Sequence, residues 1–99
     1  MARVVLALEV LDDFDRFLDH MEQYAVEGAA QRINGIVQAL QILTHSPLIG
    51  RPVRGGAREL VIGRGSRGYI ALYRFVASID TVFVLAVRGQ RESGHRRGH

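Results

Sequence analysis

Three short β-rich runs in the second half of the chain constrain the fold most strongly. They occupy residues 58–62, 69–76 and 81–87, and the segments between them, 63–68 and 77–80, are only a few residues long. Parallel neighbours need a crossover connection of a dozen or more residues, whereas such short connections suit hairpins. The sequence therefore predicts an antiparallel β-meander in this half.

The first half carries a different period. Residues 3–10 form an apolar, β-branched run of strand length, and Asp12 and Asp13 are predicted to cap the helix that follows. Two apolar stripes with helical spacing then predict two helices, the first carrying Phe14, Phe17, Leu18, Met21 and Ala25 and the second Ile33, Ile36, Val37, Leu40 and Leu43. The first helix's acids, Asp12, Asp13, Asp15 and Asp19, are predicted to form a solvated face. Gly28 marks the turn, and Pro47 stops the second helix.

These elements together predict an α+β fold. An N-terminal strand is followed by an α-helical hairpin that packs on a C-terminal antiparallel β-meander. Because 99 residues suffice for one core, we expect a single domain over residues 1–89. Residues 48–57 have no period and are predicted to form a loop. The glycine-containing, basic segment 90–99 is expected to be a flexible tail.

Charge is distributed unevenly between the two halves. Residues 1–50 carry three Arg and seven acids (3 − 7 = −4), and residues 51–99 carry ten Arg and three acids (10 − 3 = +7). Such asymmetry indicates a charged partner. The predicted binding candidates are three arginines of the strands, two of the connection 63–68, one of the tail, and one tyrosine. They are Arg58, Arg64, Arg67, Tyr69, Arg74, Arg88 and Arg91. Tyr69, Tyr73 and Phe75 share a strand face and are predicted to pack in the core.

Several classes of function lack their sequence signatures. The chain has no apolar run of about twenty residues and no secretory signal, so a cytoplasmic location without membrane contact is expected. The chain has no cysteines, and its one histidine pair at ligand spacing, His95 and His99, lies in a glycine-bearing tail that is not expected to be helical, so neither a metal nor a cofactor is expected. Residues 63–68 spell G-x-G-x-x-G, but a predicted strand follows where a dinucleotide site needs a helix. We predict no catalytic residue.

An ordered set of short motifs resembles one known family. These are Ser46-Pro47-x-x-Gly50-Arg51, Arg58-Glu59-Leu60, Gly68-Tyr69-x-x-Leu72-Tyr73-Arg74 and Val84-Leu85-Ala86-Val87-Arg88-x-Gln90-Arg91-Glu92. The set resembles the RelE/ParE superfamily of bacterial type II toxin-antitoxin systems, some of which stabilise plasmids. The resemblance implies a small toxin that is neutralised by a cognate antitoxin, whose extended C-terminal segment wraps the toxin.

The superfamily divides by mechanism. RelE-like members cleave mRNA on the ribosome, and their lysines correspond to Val61 and Gly63, their arginine to Ile70 and their C-terminal tyrosine to a position near Arg96. None of these residues matches. ParE-like members inhibit DNA gyrase by binding, which needs no catalytic group, so the resemblance favours a gyrase inhibitor. A ribosome-dependent endoribonuclease with a divergent site and a degenerate, non-toxic binding protein stay open as alternatives.

Overall fold

A five-stranded sheet with two helices on one side forms the architecture of this computed structural model, which describes residues 1–23, 28–63 and 68–89. The strands are β1 (Arg3–Leu6), β2 (Arg51–Pro52), β3 (Arg58–Ile62), β4 (Tyr69–Val76) and β5 (Thr81–Gly89). The helices are α1 (Leu8–Gln23) and α2 (Ala29–Leu40), and short 3-10 helices span Gln41–Thr44, Arg54–Gly56 and Ala77–Ile79. The predicted α+β fold is confirmed.

The predicted meander forms the middle of the sheet. In the order β1-β5-β4-β3-β2, β3 pairs with β4 and β4 pairs with β5, both antiparallel. Asp80, with φ at 48°, occupies the left-handed region at the end of the connection between β4 and β5. Aspartate tolerates that conformation better than most residues, which suits it to a tight turn. Short connections therefore produce the antiparallel order that their length predicts.

The N-terminal strand lies beside the C-terminal one. β1 runs parallel to β5, with Arg3 opposite Thr81 and Leu6 opposite Val84. The prediction of a strand over residues 3–10 was too long, because Leu8 already begins α1 and the Ala7 N–H donates to the Val84 carbonyl. Asp12 and Asp13 consequently lie inside the helix, and the prediction that they cap it was wrong.

Both predicted helical stripes face the sheet. Phe14, Phe17 and Met21 of α1 and Ile36 and Leu40 of α2 are buried in one cluster with the strands. Gly28, at the start of α2, has a φ of 76°, a conformation that glycine adopts without steric cost. In the part of the chain that the structure describes, neither helix is long and apolar enough to cross a membrane.

A buried tyrosine fixes the segment between α2 and β3, where the two-residue strand β2 interrupts the predicted loop. The Gly50 N–H donates to the Tyr73 hydroxyl at 2.8 Å. The Arg58 guanidinium donates to the carbonyls of Leu48 and Gly50 at 3.0 and 2.8 Å. Both polar groups of Gly50 are thus satisfied by β3 and β4, which holds this irregular segment against the sheet.

Candidate protein-binding face

The sheet has a helix-covered face and an open face. Because side chains alternate along a strand, the residues of β4 divide between them. Ala71 and Tyr73 are fully buried and belong to the core cluster with the helices. Ile70, Leu72 and Arg74 have the opposite parity and lie outside that cluster. We call the side bearing these three residues the open face, since neither α1 nor α2 packs on it.

Strand pairing places the open-face side chains in three rows across the sheet. Each row is a set of directly opposed residues on neighbouring strands, so adjacent members of a row are close enough to contact one another. The rows are Arg51-Glu59-Leu72-Ala86, Val61-Ile70-Arg88 and Val5-Phe83-Arg74. The open face therefore has an apolar centre with arginines at its margins.

A shallow hollow lies where the first two rows meet. It has a volume of about 210 Å³ and is lined by Glu59, Ile70, Leu72, Ala86 and Arg88. Its floor is aliphatic, and its two charged side chains come from the outer strands of the β3-β4-β5 meander. The aliphatic floor suits an apolar side chain of a partner, and Arg88 suits a nearby partner group that can bind a guanidinium.

A β-bulge in β5 directs Arg88 to the open face. Tyr73 pairs with Val84 while Leu72 pairs with Ala86, so Leu85 has no opposite residue. The extra residue reverses the alternation, because each additional residue in a strand moves the following side chains to the other face. Val82 and Val84 are buried before the bulge and Val87 after it, which leaves Arg88 exposed on the opposite side.

The open face has a net positive charge. Arg3 shares its strand face with Val5, so the described strands present Arg3, Arg51, Arg74 and Arg88 on this face against one acid, Glu59 (4 − 1 = +3). Glu59 accepts a 2.7 Å hydrogen bond from the Arg51 guanidinium. The Arg88 side chain makes no hydrogen bond or ion pair with another residue in the described ranges. Its charge is therefore available to a carboxylate or phosphate.

The structure separates the predicted binding residues. Arg74 and Arg88 both lie on the open face, and Arg74 also donates a hydrogen bond to the Gly55 carbonyl. Arg58 lies on the other face, where its guanidinium holds loop carbonyls. Tyr69 also lies there, its ring 5.3 Å from that of Phe17 between centroids. Arg64, Arg67 and Arg91 lie outside the described residues, as does the predicted tail, 90–99.

The predicted core packing of the aromatic residues of β4 agrees with this arrangement. Tyr73 is fully buried, and Tyr69 and Phe75 are partly buried against the cluster. Ile70, Leu72 and Ala86 form the floor of the hollow, although none of the three was among the predicted binding residues. The signal that identifies the first two is their position between Tyr69 and Tyr73, since alternation sends the intervening even-numbered residues to the opposite face.

Two of the three positions that the resemblance aligns with nuclease cations are apolar and adjacent; the third is Gly63. Val61 and Ile70 are directly opposed on β3 and β4 and lie on the open face. Neither side chain can transfer a proton or stabilise a charged phosphate. Within residues 1–23, 28–63 and 68–89, no group of three acidic, histidine or cysteine side chains is placed to hold a metal ion.

Comparison with known proteins gives a family and a fold. The family described as the ParE toxin of type II toxin-antitoxin system, parDE, matches residues 4–94. A chain of the chromosomal ParDE toxin-antitoxin system from P. aeruginosa is similar in structure, with a TM-score of 0.73 and 22% identity over 90% of this chain and 96% of that one. A chain of the RelBE2 toxin-antitoxin complex from Mycobacterium tuberculosis has a TM-score of 0.56 and 24% identity, covering 90% and 98%. No curated protein sequence matches.

At these identities the two structures support the fold, and the family match supplies the assignment. That match spans nearly the whole chain, including both helices and every strand of the meander. The resemblance to the RelE/ParE superfamily is confirmed, on its ParE-like side. The chain belongs to the ParE toxin family of type II toxin-antitoxin systems.

Proposed function

We propose that this toxin acts by binding and inhibiting DNA gyrase in the bacterial cytoplasm and that a cognate antitoxin neutralises it. The observation that carries the choice of mechanism is the Val61-Ile70 pair, two aliphatic side chains where a ribosome-dependent nuclease would need cations. An inhibitor that acts by binding needs a shaped and charged surface, which the open face supplies.

The same face suits an antitoxin segment that is acidic and partly apolar. The hollow has room for an aliphatic side chain, and the Arg88 guanidinium at its edge can donate hydrogen bonds to a carboxylate. Electrostatic complementarity between an acidic segment and the arginines increases the association rate and specificity more than it increases affinity. Both structural neighbours come from toxin-antitoxin systems. We infer that target and antitoxin use overlapping parts of the open face, so that one excludes the other.

The mechanism is tested by inducing the chain alone in bacteria and assaying the purified protein in two reactions. We expect growth arrest and inhibition of gyrase supercoiling, without cleavage of mRNA in a translating extract. Cleavage of mRNA with supercoiling unchanged would assign the protein to the nuclease class. Harmless expression together with no effect in either reaction would leave a degenerate, non-toxic binding protein.

A second experiment tests the binding surface. Replacing Arg88 and Arg91 with Ala should weaken gyrase inhibition while thermal unfolding stays near that of the wild type, since the charge of the exposed Arg88 contributes little to stability. Arg32→Ala, on α2, provides the matched control for loss of an arginine away from the open face. A folded double variant that inhibits gyrase as strongly as the control would place the binding surface elsewhere.

A further inference from the structure

Asp13 is a buried carboxylate with a partner far away in the sequence. It is 8% exposed, although the acids of the first helix were predicted to be solvated, and that prediction was wrong for Asp13. Its Oδ2 accepts a 2.9 Å hydrogen bond from the Val87 N–H, 74 residues along the chain. Its Oδ1 accepts a 3.1 Å hydrogen bond from the Arg16 guanidinium at the helix surface.

The length of β1 explains why Val87 needs such a partner. β1 pairs with β5 only as far as Val84, whereas β5 continues to Gly89. In the described ranges, no strand lies on the β1 side of β5 after that point. A buried N–H without an acceptor is destabilising, and the Asp13 carboxylate supplies the acceptor that a longer edge strand would have provided.

The hydrogen bond lies just after the bulge and just before Arg88. Leu85 adds the residue that reverses the alternation, and Val87 is the first buried side chain beyond it. A shift of β5 by one residue at this point would exchange the faces of Val87 and Arg88. A bulge alone does not fix where the reversed alternation begins, whereas an acceptor bonded to one particular amide does.

We propose that Asp13 is a positioning residue that fixes the register of β5 beyond the bulge and thereby keeps Arg88 on the open face. It touches no partner itself, and its effect on binding passes through Arg88. Only the choice of gyrase as the binding probe rests on the proposed function.

The orientation of Arg88 is tested by NMR on the full chain. In the wild type we expect a slowly exchanging Val87 amide and nuclear Overhauser contacts between the side chains of Arg88 and Ile70, which are opposed across β4 and β5. Asp13→Ala should increase Val87 amide exchange and weaken the Arg88-Ile70 contacts. Asp13→Asn keeps an acceptor oxygen and should retain both signals. The matched control is Asp12→Ala, which removes an exposed carboxylate from the adjacent position.

Inhibition of purified DNA gyrase supplies the binding readout. Asp13→Ala should raise the half-inhibitory concentration about tenfold when compared at equal concentrations of folded protein, and Asp13→Asn should restore it. In an Arg88→Ala background, Asp13→Ala should add no further loss. A merely structural role would instead lower stability and leave inhibition by the folded fraction unchanged.

The proposal is overturned if the Arg88-Ile70 contacts persist in folded Asp13→Ala, or if the Asp13 and Arg88 effects on inhibition multiply independently. If Asp13→Ala does not fold, Asp13→Asn decides, because loss of the contacts in a folded protein that retains an acceptor refutes the mechanism and their retention supports it. If the wild type fails to inhibit gyrase, the proposed target is wrong, and the NMR contacts still decide the role of Asp13.

Discussion

Replacing Tyr73 with Phe should destabilise the protein through one backbone group. The Tyr73 side chain is fully buried, and its hydroxyl accepts the Gly50 N–H at 2.8 Å. The substitution keeps the ring and removes the oxygen, so the buried N–H loses its only acceptor shown in the structure. A buried N–H that is left without an acceptor lowers the free energy of unfolding by about 1 to 3 kcal/mol. For a domain of about 100 residues, each kcal/mol lowers Tm by about 4 to 8 °C.

Urea unfolding provides the assay, and another tyrosine on the same strand face provides the control. Tyr69 packs its ring on Phe17, and its hydroxyl makes no hydrogen bond with a residue in the described ranges. Tyr69→Phe should therefore change the free energy of unfolding by less than about 0.5 kcal/mol. The reasoning is refuted if the two variants have equal stability, or if Tyr73→Phe changes the m-value and leaves the midpoint unchanged.

Two further pairs of substitutions test the packing by urea unfolding. Gly50→Ala should lower the free energy of unfolding by about 1 to 3 kcal/mol, because the new Cβ would lie 2.7 Å from the Glu59 carbonyl oxygen and from the Tyr73 hydroxyl. Gly35→Ala, on an open surface of α2, should raise it by about 0.5 to 1 kcal/mol. Equal effects of the two would contradict the steric argument. Leu40→Ala should cost about 2 to 5 kcal/mol because the side chain is 1% exposed, and Ile42→Ala, at 45% exposure, should cost much less. A small loss for Leu40→Ala would place this helix outside the core.

Local periodicity predicted the elements that depend on local sequence. The meander followed from connection length, and the helical stripes followed from the spacing of residues such as Phe14 and Phe17. The predicted end of β1 was wrong because Leu8 and Val10, the apolar residues on either side of Glu9, suit a strand or a helix equally well. Its parallel pairing with β5 depends on residues at the far end of the chain, which no local pattern specifies.

The candidate site was predicted only in part, because charge is visible in the local sequence whereas long-range contacts are not. Arg74 and Arg88 were identified by charge and lie on one face, yet Arg58, equally basic, is committed to carbonyls of a loop. The bulge at Leu85 reverses the alternation of β5, and a pattern of valines alone does not show where an extra residue falls. Asp13 was assigned to a solvated surface because its partner amide is 74 residues away.

The parallel pairing of β1 with β5 also determines the stage of synthesis at which the toxin can first fold. Synthesis proceeds from the N-terminus, so α1 and α2 leave the ribosome with their apolar stripes uncovered while the strands that bury them are still unmade. β1 has no partner until β5 emerges. A nascent chain interrupted before β5 therefore has neither a finished core nor the arginine that borders the hollow. Premature termination should yield substrates for proteolysis and no fragment capable of poisoning the cell.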